Sequence, residues 1–136
     1  GKAVMLLMQE VMADIQRAKQ QDATKDYAAK LEQKLGSLQE LSMHLMSVAQ
    51  QEGAEAYLSD ATLYLELFGI LTMGWIWLKM MNACAENEHT DEQFRQSKQL
   101  SCDYFYEYEF PKAEGLFLRL KSKKRVTTGE VQDLID

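Results

Sequence analysis

Residues 60–86, DATLYLELFGILTMGWIWLKMMNACAE, are apolar on nearly every side of a helix, and this stretch dictates what the rest of the chain has to supply. Its uncharged centre, residues 67–78, is bracketed by Glu66 and Lys79 and holds 12 residues. Crossing a bilayer takes about 20 such residues, whereas a helix inside a bundle has no length requirement. The stretch therefore predicts a central packing helix surrounded by others, with Leu71 and Ile76 in the core. It predicts no transmembrane segment and no chemistry of its own.

One proline and seven glycines among 136 residues leave little material for a loop-rich fold, so punctuation alone favours helices. The length is that of one ordinary domain, 1–136, able to bury about two-thirds of its unfolded surface. A net charge of -6 and a pI near 5.0 argue against nucleic acid, because a phosphate backbone needs a basic face. The one concentrated basic run, Lys121, Lys123, Lys124 and Arg125, reads as the cationic end of a helix, favoured by the macrodipole. Cys84 and Cys102 have no close spacing, which fits a reducing compartment and a cytoplasmic location. No secretory signal is visible, and the chain opens on Gly1, as an excised, processed or tagged chain does.

Apolar spacing lays out the bundle. Val4, Leu7, Met8, Val11, Ile15 and Ala18 recur at three and four, giving a helix from about residue 3 to 19. Tyr27, Leu31, Leu35, Leu38, Leu41 or Ser42, Leu45 and Val48 form a second stripe. It keeps its phase across Gly36, so one long helix is expected despite the possible capping box of Ser37 and Glu40. Gly53 closes that helix, and Asp60 is the capping residue of the apolar third helix. Thr90 caps a fourth helix, with Asp91 and Glu92 in its first turn and Phe94, Lys98, Ser101, Phe105 and Tyr108 on one side, widened by Cys102 and Tyr104. Pro111 lacks an amide hydrogen and forces a kink or restart near Phe110. Ala113, Leu116, Phe117 and Leu120 supply a short final stripe, and the tail from residue 127 has few anchors. The expected fold class is all-α: an antiparallel helical bundle of four main helices plus a short C-terminal helix after Pro111.

No constellation in this layout carries chemistry, so no catalytic, cofactor-binding or metal residue is assigned. His44 and His89 have no zinc-like spacing with thiols or carboxylates. Glu66 on an apolar helix could serve as a base with a raised pKa, but it lacks an identifiable partner. Asp103, Glu107 and Glu109 at helical spacing describe a solvated face rather than a glycosidase pair. Gly69 and Gly74 suit close helix approach rather than a phosphate cradle. The aromatic run is more informative, since Tyr104, Phe105, Tyr106, Tyr108 and Phe110 cannot all point the same way on one helix. Tyr104, Tyr106, Tyr108 and Phe110, with Trp75 and Trp77, are the candidate interface residues; the alternative is that some belong to the chain's own core.

Two segments carry a family resemblance: AYLSDATLYLELFGILTMGWIWLKMMNACAE and DEQFRQSKQLSCDYFYEYEFPKAEGLFLRL. Phe68 and Gly69 with the tryptophan-rich continuation at Trp75 and Trp77, the FxxxK pair Phe94 and Lys98, and an aromatic helix ending at Phe110 and Pro111 resemble the extra C-terminal helical domain of the large acyl-CoA dehydrogenases. The family has LP where this chain has Phe110 and Pro111, and the likeness is strong from about residue 55 to 122 and diffuse before it. The resemblance implies a non-catalytic accessory and packing domain of an FAD-dependent enzyme. In such enzymes a glutamate removes the α proton of an acyl-CoA while FAD accepts hydride from the β carbon, giving the 2,3-enoyl-CoA. The flavin and acyl-CoA sites lie in preceding domains, and nothing here matches the segment carrying that glutamate, so Glu66 is not promoted to the role. The implied partners are the upstream catalytic domains of the same polypeptide and a second subunit, with acyl-CoA met only through the full-length enzyme. The alternatives are a free-standing helical interaction or signalling module, and a small bundle with a buried metal, for which His44 and His89 supply neither expected spacing.

Overall fold

The computed structural model describes residues 1–53, 55, 58 and 60–122. It is an all-α, antiparallel bundle with no strand among the described residues. Helix α1 spans Lys2–Lys19, α2 Lys25–Glu52, α3 Ala61–Glu86 and α4 Glu92–Tyr104. The last runs into a π-helical turn, Phe105–Glu109, and Pro111 then starts the short α5, Lys112–Lys121. Four main helices and a short final one are what the stripes predict. The tail from residue 127, the basic residues Lys123, Lys124 and Arg125, and most of the connection at 54–59 lie outside the described residues.

Local chemistry sets the ends. Arg17 and Lys19 occupy the last turn of α1, where the macrodipole favours cations. Thr24 Oγ1 then donates to the Ala18 carbonyl at 2.8 Å, tying the turn into α2. Gly36 leaves α2 unbroken, and Ser37 Oγ bonds back to the Gln33 carbonyl at 3.3 Å instead of forming a capping box. Gly53 ends α2 at φ 92, ψ 174, a region essentially closed to residues with a Cβ; it is extended in ψ rather than the left-handed helical cap expected. Asp60 holds the N-cap position of α3, its carbonyl accepting from Tyr64 N at 3.0 Å, but its side chain makes no cap hydrogen bond. The fourth helix begins one residue later than expected. Asp91, not Thr90, is its N-cap, and its carboxylate accepts from Gln93 N at 3.3 Å.

The core is shared by every helix: Ile15, Leu31, Leu41, Leu67, Leu78, Cys102 and Leu120 are all almost fully buried. Helix α3 touches each of the others and is central in that sense. It is also the one described helix long and apolar enough to cross a membrane, with a mean hydropathy of 1.4, a measure that a soluble core helix meets equally. Only 22% of that apolar window is buried, so the expectation of enclosure on all sides is corrected. Leu67, Leu71, Gly74, Leu78 and Met81 face inward, while Leu65, Phe68, Met73 and Ile76 face out. Ile76 is therefore not a core residue. The four other helices leave the outer side of α3 uncovered among the described residues.

Candidate interaction surface

Helix α3 is pinned to α1 by buried polar groups that the apolar pattern conceals. Asp14 lies on the inward face of α1 with Val11, Ile15 and Ala18. Its carboxylate accepts from Trp75 Nε1 at 2.8 Å and from Arg17 at 3.5 Å, and its backbone carbonyl accepts from Asn82 Nδ2 at 2.9 Å. Asn82 Oδ1 in turn accepts from Gln21 Nε2 at 2.7 Å. A buried carboxylate and amide left without partners would each cost a few kcal/mol, so the mutual bonds fix the register of the two helices. Lys79 closes the rim, 2.8 Å from Glu10 and 5.4 Å above the Trp75 ring. Sequence reasoning missed Asp14, Asn82 and Gln21 as structural residues. Asp14 was detectable, since it falls at i+3 from Val11 within the buried stripe.

The π-turn sorts the aromatic run. Phe110 N donates to the Phe105 carbonyl at 2.8 Å, an i→i+5 bond that widens the helix by one residue just before Pro111. Phe105, Tyr106 and Phe110 consequently turn inward, whereas Tyr104 and Tyr108 stack on each other at 4.9 Å on the outside. Tyr106 stacks on Tyr27 at 4.5 Å and donates its hydroxyl to the Gly74 carbonyl at 2.7 Å. A Cβ at Gly74 would sit 3.1 Å from that hydroxyl and 3.4 Å from Leu31 and Phe110, so close helix approach is the reason for this glycine. Gly69 has open space above it instead. Of the six candidate interface residues, Tyr106 and Phe110 thus belong to the chain's own core. Trp75 and Trp77 are half-buried against that core, which leaves Tyr104 and Tyr108 as the outward rings. The expected α4 stripe holds at Cys102 and Phe105, which are buried, and is corrected at Phe94, Ser101, Tyr104 and Tyr108, which are exposed; Tyr106 joins the buried side.

Beneath the rings, burial pushes the Cys102 thiol from 9.0 up to about 12, with Asp103 adding to the effect. Burial likewise raises Tyr27 and Tyr106 above 10.0, and for Tyr27 the bond it donates to Asp103 at 2.9 Å raises it further. These groups stay neutral in the folded chain at pH values where they ionise in the unfolded one. The stability they protect is complete below about pH 9 and is lost as pH climbs toward 12. Urea titrations between pH 7 and 12 should show a falling midpoint from about pH 9 upward. A flat profile would contradict the burial of Cys102, Tyr27 and Tyr106.

No group of three or more His, Cys, Asp or Glu side chains among the described residues is placed to hold a metal ion. Glu66 is an exposed carboxylate on the outer side of α3, and Cys84 and Cys102 are free, buried thiols. The clefts are small. One of about 160 Å³ is lined by Leu7, Met8, Leu38, Phe68, Leu71 and Trp75, with no charged group; others of about 240 and 180 Å³ lie against Lys34 with Phe110 and against Tyr104 with Tyr108.

Residues 7–129 match the family model described as acetyl-CoA dehydrogenase C-terminal like. The chain belongs to this C-terminal domain family of the acyl-CoA dehydrogenases. The match extends well upstream of residue 55, where the visible likeness fades, and so takes in α1 from Leu7 and all of α2. Neither the comparison with curated proteins nor that with solved structures gives a match. The flavin that the resemblance implies does not fit the clefts just described. They fall below the ~300–1,000 Å³ of ordinary ligand pockets, and the apolar one offers a pyrophosphate no cation.

Proposed function

We propose that this domain is a non-catalytic accessory and packing layer of an FAD-dependent acyl-CoA dehydrogenase whose full-length form oxidises an acyl-CoA to a 2,3-enoyl-CoA. The family match over residues 7–129 carries this reading. The stacked Tyr104 and Tyr108, with Leu100 beside them, are the face we assign to the catalytic domains of the same polypeptide. Asp103 and Glu107 line that cleft, so its partner surface is basic and two copies of it repel each other. The free, buried thiols of Cys84 and Cys102 support a reducing, cytoplasmic setting.

The experiment is a visible spectrum of the purified chain, before and after anaerobic addition of acyl-CoA. No stoichiometric flavin and no bleaching are expected. A flavin band that bleaches with acyl-CoA would overturn the accessory role. The surrounding reading frame decides between this and a free-standing interaction module: a flavin dehydrogenase body encoded upstream is the expected result, and a chain encoded alone favours the module.

A further inference from the structure

Helix α2 sets Lys30 and Lys34 one turn apart on the face that meets Pro111 and the start of α5, and the cleft of about 240 Å³ between these elements is cationic. Gln33 stands beside the two lysines, and Tyr106, Phe110 and Pro111 form the rest of the wall. Glu114 is the one carboxylate in its lining, and it pairs with Lys34. A third ammonium joins across the Phe117 ring, where Lys34 Nζ and Lys121 Nζ both stand 5.5 Å from the ring centre. Lys30 rests over the Tyr27 ring at 5.8 Å, and neither it nor Lys121 forms an ion pair among the described residues. Three cations therefore face one anion, on a chain of net charge -6. Like charges gathered this closely cost stability unless an anion joins them. Lys34 is only 18% exposed, and burial, then Lys121, hold its ammonium below the ordinary lysine value, which the single carboxylate does not offset.

We propose that this cleft binds a phosphate monoester, its phosphate held between Lys30 and Lys34 with the Gln33 amide donating, and its organic group laid against Tyr106, Phe110 and Pro111. The charges match. Such a group carries about -1.5 to -2 at pH 7 and accepts through three oxygens, against a surplus of two ammoniums. The size matches as well: by the measure in which one water needs about 10–15 Å³, a volume of 240 Å³ takes a phosphate with a small organic group. The Tyr106 hydroxyl already donates to the Gly74 carbonyl, which leaves the aromatic wall without a free polar group and favours the ester over the bare ion. Glu114 is the internal stand-in for the ligand. Its carboxylate holds Lys34 while the cleft is free and, being 59% exposed, swings out to water when the phosphate arrives. A flat acidic protein surface is a poorer occupant, because Lys34 lies back in a recess that only a small group enters. Nothing in this site depends on the accessory role proposed above.

Amide NMR titrations of the chain with phenyl phosphate, and separately with inorganic phosphate, test the proposal. Saturable shifts are expected around residues 30–34 and 112–114, at lower concentration for phenyl phosphate, and weakened by added salt. Lys30→Gln, at an exposed position that leaves the fold alone, should weaken binding by about fivefold or more, and Lys34→Gln likewise with helicity unchanged. Glu114→Gln should tighten it by roughly threefold or more, because the stand-in is removed. No saturable shift at millimolar phenyl phosphate, an affinity unmoved by Lys30→Gln, or a Glu114→Gln chain that binds no better than the parent would each overturn the proposal. Equal affinity for the two probes would overturn the role given to the aromatic wall. An oligoglutamate peptide that displaces phenyl phosphate at lower concentration would make the cleft a docking point for an acidic partner instead. Loss of binding on changing Lys123, Lys124 and Arg125 to Gln, with the cleft variants silent, would move the anion to the basic run.

Discussion

Tyr106→Ala is expected to destabilise the chain by about 3–5 kcal/mol, the usual cost of emptying a large aromatic site in a core that cannot fully collapse. The ring is 1% exposed, stacks on Tyr27, and packs against Phe105 and Phe110 at 5.3 and 5.0 Å. Its hydroxyl contributes less. Tyr106→Phe removes one bond to the Gly74 carbonyl, at a cost of about 0.5–1.5 kcal/mol. Tyr108→Ala, on the outward side of the same turn, should stay within roughly 0.5 kcal/mol of the parent. Equilibrium urea unfolding of the three variants orders them. Equal losses for Tyr106→Ala and Tyr108→Ala would mean that the π-turn does not sort the rings as described.

The second large effect separates two neighbours on α3 that look alike in sequence. Leu71 is 2% exposed between α1 and α2, and its truncation to Ala should cost about 2–5 kcal/mol. Ile76→Ala removes a side chain that already meets water and exchanges a β-branched residue for the best helix former. The net change should stay below about 1 kcal/mol, measured on dilute chain so that self-association does not contribute. A loss of 2 kcal/mol or more at Ile76 in dilute solution would place it in the core after all.

Helix existence and order were legible because one face of α1, α2 and α5 repeats at three and four residues. The orientation of α3 was not. Residues 61–86 are apolar nearly all round, so their periodicity does not distinguish the side of Leu71 from the side of Ile76. That distinction comes from neighbours: Gly74 admits Tyr106, and Asn82 finds the Asp14 carbonyl. The aromatic helix failed for another reason. Its stripe hangs on Phe94 and Ser101, which are exposed, whereas the buried side runs through Cys102 and Tyr106. Of the candidate site, crowding implied that the rings divide but not which go where: Phe105, Tyr106 and Phe110 are buried, and Tyr104 and Tyr108 are exposed.

The extra residue has a consequence for how this domain tolerates insertions and deletions. One residue turns an α-helix by about 100°, so the wide turn at Phe105–Glu109 sets the angular phase of everything that follows. Cys102, Tyr106, Phe110, Ala113, Phe117 and Leu120 recur at four and three across that turn, and all are buried. A single-residue deletion within the turn would rotate Ala113, Phe117 and Leu120 by about 100° relative to Cys102 and aim them elsewhere. The position where the backbone departs from regularity is thus where length is most strictly specified.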